Sequence, residues 1–185
     1  MAKIGLNNFR WAKLTVDTNN SYAYDGAKIP AKAISCDVSI TNNSATLYAD
    51  DALAESDTSF QSGTVTLGVD DENLEMIASM LGHTYTSGQI TRNKDDVAPY
   101  IGLGRVATKM VGNVRKYRAE VLYKVKMSEP SVSEATQGET LEFSTPTIEG
   151  TISTLSNGDW STAKEFDTKD AAVSFIESIF SVSST

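Results

Sequence analysis

Between Ile34 and Thr41 the chain alternates strictly, with Ile34, Cys36, Val38 and Ile40 on one parity and Ser35, Asp37, Ser39 and Thr41 on the other. That period of two predicts a strand with one buried and one solvated side. Thr64 to Val69 repeats it through Val65, Leu67 and Val69. Between the two lies "SATLYADDALAESDTSFQSG", read here as an extended inter-strand loop over about 42–62. It carries Leu47, Tyr48, Leu53 and Phe60, four apolar groups that a solvated linker has no use for. The composition suits a segment that lies against something.

Further on, Tyr117, Ala119, Val121, Tyr123, Val125 and Met127 share a parity, opposed by Arg118, Glu120, Lys124 and Lys126. Gly112-Asn113, which accepts positive φ, turns this strand back on Tyr100 to Val111, predicting a long β-hairpin. Arms of this length exceed the usual strand and are expected to project beyond their own core, where oligomerisation would cover an open edge. Leu141 and Phe143 set one parity and Ile148 and Ile152 the other, so a bulge or a break, giving one bent strand or two short ones, and a sheet edge are expected at Pro146. Two helices follow from apolar spacing. In 73–81, Leu74, Ile77 and Leu81 recur, with Asp70 and Asp71 favouring the start and Gly82 the end. In about 169–180, Ala172, Phe175, Ile176 and Ile179 form the stripe, capped by Asp167 or Thr168. "SEPSVSEATQGE" at 128–139 reads as a mobile loop. The fold class is therefore mainly β with one or two helices, and 1–185 reads as a single domain.

The charge balance, 16 basic against 24 acidic residues for a net −8, disfavours stable binding to phosphate backbones without excluding passive contact with DNA. One cysteine, Cys36, rules out an internal disulfide and a cysteine-rich metal site, and suits a reducing cytosol. The start MAKIGLNNFR holds no apolar signal region and no run approaches the roughly 18 apolar residues of a membrane span. Synthesis in the cytoplasm, with no membrane partner, is expected.

Candidate chemistry is sparse. His83, the sole histidine, follows the expected helix end and reads as a cap or surface residue; no nucleophile turn accompanies it. The pairs Asp50-Asp51, Asp70-Asp71 and Asp95-Asp96 match no calcium-loop spacing, and capping or solvation accounts for them better than a metal. Arg115, Lys116, Arg118, Lys124 and Lys126 read as a mixed-charge exposed strand face, with salt bridges to a neighbouring subunit as the second possibility. Trp11 and Trp160 fit core or interface packing better than sugar stacking. No catalytic residue, cofactor or metal is expected, and the chain is not read as an enzyme.

In order along the chain, "GLNNFRWAKLT", "SATLYADDALAE", "LGHTYTSGQI", "NKDDVAPYIGLG", "SEPS" and "GETLEFSTPTIEGTI" are similar to the major tail proteins of long, non-contractile-tailed phages. More narrowly, the chain resembles the phi13-type family of phages of Gram-positive bacteria. The resemblance implies a tail-tube fold, a β-sandwich or partly open barrel flanked by a helix. It also implies a virion protein made in the bacterial host, with hexameric rings stacked into a hollow tube for DNA passage. Tape-measure, tail initiator and tail terminator proteins are the implied partners. In such tubes a long inter-strand loop reaches the adjacent ring. By that likeness Leu47, Tyr48, Leu53 and Phe60 become buried between subunits, while Asp50, Asp51, Glu55 and Asp57 meet basic groups or stay wet. The alternative is an immunoglobulin-like virion or cell-surface binding module using Trp11 or Trp160.

Overall fold

The computed structural model describes residues 3–28, 33–49, 52–69, 73–131 and 146–181. Its strands are β1 (Lys3–Asp17), β2 (Tyr22–Tyr24), β3 (Ala33–Ala49), β4 (Ala52–Val69), β5 (Thr84–Thr86), β6 (Gln89–Thr91), β7 (Tyr100–Val111), β8 (Val114–Met127), β9 (Thr147–Ser153) and β10 (Ser161–Phe166). Helix α1 (Leu74–Leu81) follows β4 and α2 (Lys169–Ile179) follows β10. Except for the small β5-β6 hairpin, the strands join one antiparallel sheet in the order β2-β1-β7-β8-β9-β4-β3, with β10 also on β8. The fold is mainly β and sandwich-like. At its far end β3 returns over β7, where the Arg105 guanidinium donates to the Cys36 carbonyl at 3.0 Å.

Strand β8 organises this arrangement. One edge pairs with β7 throughout; the other is shared, Tyr117–Leu122 pairing with β10 and Lys124–Met127 with β9. Where the sharing changes, the register slips: Ile101 opposes Val125 but Leu103 opposes Leu122, so Tyr123 and Lys124 together face Gly102. Such a bulge reverses the side-chain parity. Ala119, Val121 and Tyr123 therefore pack with Ala172, Ile176 and Phe180 of α2 and its end, whereas Val125 and Met127 join the opposite core with Val65, Leu67, Ile148, Ile152 and α1. The single apolar face expected over Tyr117–Met127 is corrected to two. A second correction concerns the hairpin β7-β8, which lies at the centre of the sheet, flanked by β1, β9 and β10, and presents no open edge along those pairings. Its Gly112-Asn113 turn has φ of 52° and 64°, as a two-residue reversal requires.

Other local expectations are adjusted. Asn73 caps α1, its side chain accepting from the Glu75 and Met76 amides, in place of Asp70 and Asp71, which lie outside the described residues. Leu74 is partly exposed, and Met76, Ile77, Ala78, Met80 and Leu81 form the buried face. The end at Gly82, in the left-handed region, and the Thr168 cap of α2 are as expected. β9 begins directly after Pro146 but lies between β8 and β4, so the expected edge is absent there; the proline precedes the first strand residue and costs no ladder bond. Leu141, Phe143 and residues 132–139 of the expected mobile loop lie outside the described residues.

Two substitutions test the layer arrangement. A Cβ on Gly102 would meet Phe180 Cε1 at 2.5 Å and Tyr24 Cε1 at 2.7 Å, rings packed edge to face at 4.9 Å. Gly102→Ala should cost about 1–3 kcal/mol in chemical denaturation; no loss would contradict this packing. Val121 is fully buried beneath α2, so Val121→Asp should leave no cooperatively folded protein by calorimetry.

Candidate assembly interface

The pairing of β4 with β9 covers only Gly63 to Gly68. Beyond it, β3 and β4 continue from Asn42 opposite Phe60 to Ala49 opposite Ala52, each paired with the other alone among the described residues. The extended loop expected at about 42–62 is thus corrected to a two-stranded ribbon. The sequence gives up its alternation here because the ribbon carries two irregularities, one at Gln61 and one at Ala54. At about 3.3 Å per residue it extends by roughly 25–30 Å. A free two-stranded ribbon is marginally stable in water, and its outer backbone groups are available for pairing.

The expected interface residues distribute as follows. Leu47 opposes Glu55 and Tyr48 opposes Leu53 in the ribbon's backbone register, which brings these four to its distal part. Asp50 and Asp51 lie outside the described residues. Phe60 is different: it sits at the root. The irregularity at Gln61 shifts parity, so Phe60 turns to the core side that Val65, Leu67 and Val69 occupy, and stacks on Trp160 at 4.8 Å and 9°. Phe60 is therefore an intramolecular anchor of the ribbon in this chain, a role that simple alternation concealed.

Beside that root, Phe9, Val38, Leu103 and Trp160 line a pocket of about 180 Å³ with Arg105 and Glu120 in its wall. The two charges pair at 2.6 Å, and Arg105 also donates to Cys36. Burial pushes the Cys36 thiol up, in spite of the guanidinium beside it, so the sulfur is protonated at neutral pH and is a poor nucleophile. Trp11 lies in the core, 3% exposed, with the Lys28 ammonium over its ring.

The basic cluster is largely engaged within the chain. Lys116 pairs with Asp167, Arg118 with Glu120 and Glu165, and Lys124 with Asp17, while Lys126 stands over the Tyr100 ring. These pairs join β8 to β1, to β10 and to the turn between β10 and α2. Strand parity put Arg118 beside Glu120, but the partners Asp17, Glu165 and Asp167 left no sign in the spacing. His83 is likewise more than a cap: its amide donates to the Ala78 carbonyl as a helix-end residue does, but the ring is 7% exposed between Asp96 and Glu129. Among the described residues no group of three or more histidine, cysteine or acidic side chains is placed to hold a metal ion. No helix among the described residues is long and apolar enough to cross a membrane.

Phe60→Ala should cost about 1–2 kcal/mol and shift Trp160 emission to the red, with buried Trp11 as internal standard. Unchanged emission would remove the anchor assignment. No protein-family model matches the chain, and no curated protein matches it.

Proposed function

We propose that the chain is the structural subunit of a phage tail tube, polymerising through stacked rings into a conduit for DNA. The observation that carries this reading is the β3-β4 ribbon, a long extension of the sheet whose strands pair only with one another among the described residues. In isolation such a ribbon has little to hold it, whereas a sister subunit offers an identical surface at every step of a polymer. Burying each apolar side chain yields roughly 1.5–3 kcal/mol, so Leu47, Tyr48 and Leu53, repeated around a ring and along a tube, supply a sustaining contact. Association must first offset the ordering of the ribbon, so on this reading the free subunit stays monomeric until an initiator offers a template.

The charge supports the same use. Between Asn42 and Ser62 there are Asp50, Asp51, Glu55 and Asp57 and no lysine or arginine. A net −8 per subunit keeps the DNA backbone from adhering to a passage it must leave quickly. The protein on this reading makes and breaks no bonds; its partners are its own copies, a tape-measure protein and the tail initiator and terminator.

Electron microscopy of the purified chain, concentrated or mixed with tail initiator proteins, should reveal rings or tubes; failure under both conditions would overturn the proposal. Leu53→Asp should leave the monomer's stability within about 0.5 kcal/mol, as substitutions away from a packed core do, yet stop tube growth. An equal loss of stability in the monomer would place Leu53 in the subunit's own core.

A further inference from the structure

The His83 ring has a carboxylate at each nitrogen. Nδ1 lies 2.7 Å from Asp96 Oδ2, and Nε2 contacts Glu129 Oε1. The three groups come from separate elements: His83 from the C-terminal end of α1, Asp96 from the turn after β6, and Glu129 from the exit of β8. Asp96 Oδ2 also accepts the Asn93 amide at 2.8 Å, and the other oxygen of Glu129 faces Arg92 Nε at 3.3 Å.

A neutral imidazole has one N–H and one lone pair, so it satisfies one carboxylate and presents a lone pair to the other. Only the imidazolium donates to both. We propose that His83 is a proton-operated clasp. In its doubly protonated form it fastens α1, the 93–96 turn and the exit of β8 together, and loss of one proton releases Glu129 while Asp96 is kept.

The order of release follows from the surroundings. Asp96 is the more enclosed partner, its side chain 19% exposed against 51% for Glu129, and it is already oriented by the Asn93 amide. Glu129 has an alternative in Arg92 and in water. On deprotonation the remaining proton therefore stays on Nδ1 and the Nε2 contact is given up. The charged groups at the site are Asp96 from the turn, Glu129 from the β8 exit and, through Glu129, Arg92 beyond β6. The last turn of α1 carries no basic residue, and Lys94 pairs with Asp95 in solvent.

The Asp96 hydrogen bond, then that of Glu129, holds the His83 proton above the ordinary value of 6.5 against the desolvation that lowers it, and the same bond holds Asp96 below the usual carboxylate range. A raised folded-state value means that the stabilisation is complete below 6.5 and is lost as the pH rises through the folded-state value. Glu129 lies beside Ser128, whose amide donates to Glu149 of β9, so the clasp acts at a junction of the main sheet.

Long-range proton–nitrogen NMR on the full chain reads the single imidazole directly. At low pH both ring nitrogens should be protonated; above a midpoint higher than 6.5, Nε2 should become the bare nitrogen. The backbone amide shifts of Glu129 and Arg92 should move with that midpoint in the wild type and lose the transition in His83→Gln. Glu129→Gln should lower the midpoint while leaving Nδ1 as the protonated atom at high pH, which keeps the test open should His83→Gln fail to fold. A midpoint at or below the ordinary value, a bare Nδ1 at high pH, or a Glu129 amide indifferent to the titration would each overturn the clasp.

Discussion

Everything in this fold depends on one strand serving two partners along the same edge. Hydrogen-bonding geometry allows a strand two neighbours, and β8 keeps β7 on one side while dividing the other between β10 and β9. The division is possible because Tyr123 and Lys124 share the space opposite Gly102. That extra residue turns the later part of β8 over, so the same parity that meets α2 through Val121 meets α1 and the folded-over strands through Val125 and Met127. Two cores grow from a single alternating segment. The glycine is needed because Tyr24 and Phe180 occupy the volume a side chain would take, and the Tyr24 hydroxyl closes the joint by donating to the Tyr123 carbonyl at 2.8 Å.

This explains which parts of the structure could be read from residues alone. Regular alternation revealed the paired portions of β3 and β4 and the β7-β8 hairpin, and helical spacing revealed α1 and α2. Those signals are local. β1 escaped because Gly5 and Asn8, with φ of 76° and 49°, accompany two register slips against β7, so Phe9 and Trp11 keep no simple period with Leu6. The ribbon escaped for a similar reason at Gln61 and Ala54. Long-range polar partners left no trace at all. Asp96 and Glu129 stand 13 and 46 positions from His83, and nothing in the neighbourhood of that histidine selects them. At the candidate interface, composition singled out the segment that forms the ribbon, but only three-dimensional packing separated Phe60, which belongs to the root, from the distal residues.

The ribbon and the core of the chain thus meet at a definite place. The stacked Phe60 and Trp160 rings mark where β4 leaves the sheet's cover, and the pocket beside them is bounded by β1, β3, β7, β8 and β10. The core packing reaches that point; beyond it the two ribbon strands pair only with each other among the described residues.

The topology also has a kinetic side. β3 with β4, and β7 with β8, are neighbours in the chain, whereas Trp11 of β1 meets Leu103 of β7 across roughly 90 positions. Short-range closures precede long-range ones, so a newly made chain displays its hairpins before β1 arrives to complete the sheet. During that interval an uncharged ribbon would be a template for intermolecular β-pairing. The four acidic residues of segment 42–62, with no lysine or arginine among them, weigh against such pairing through like-charge repulsion.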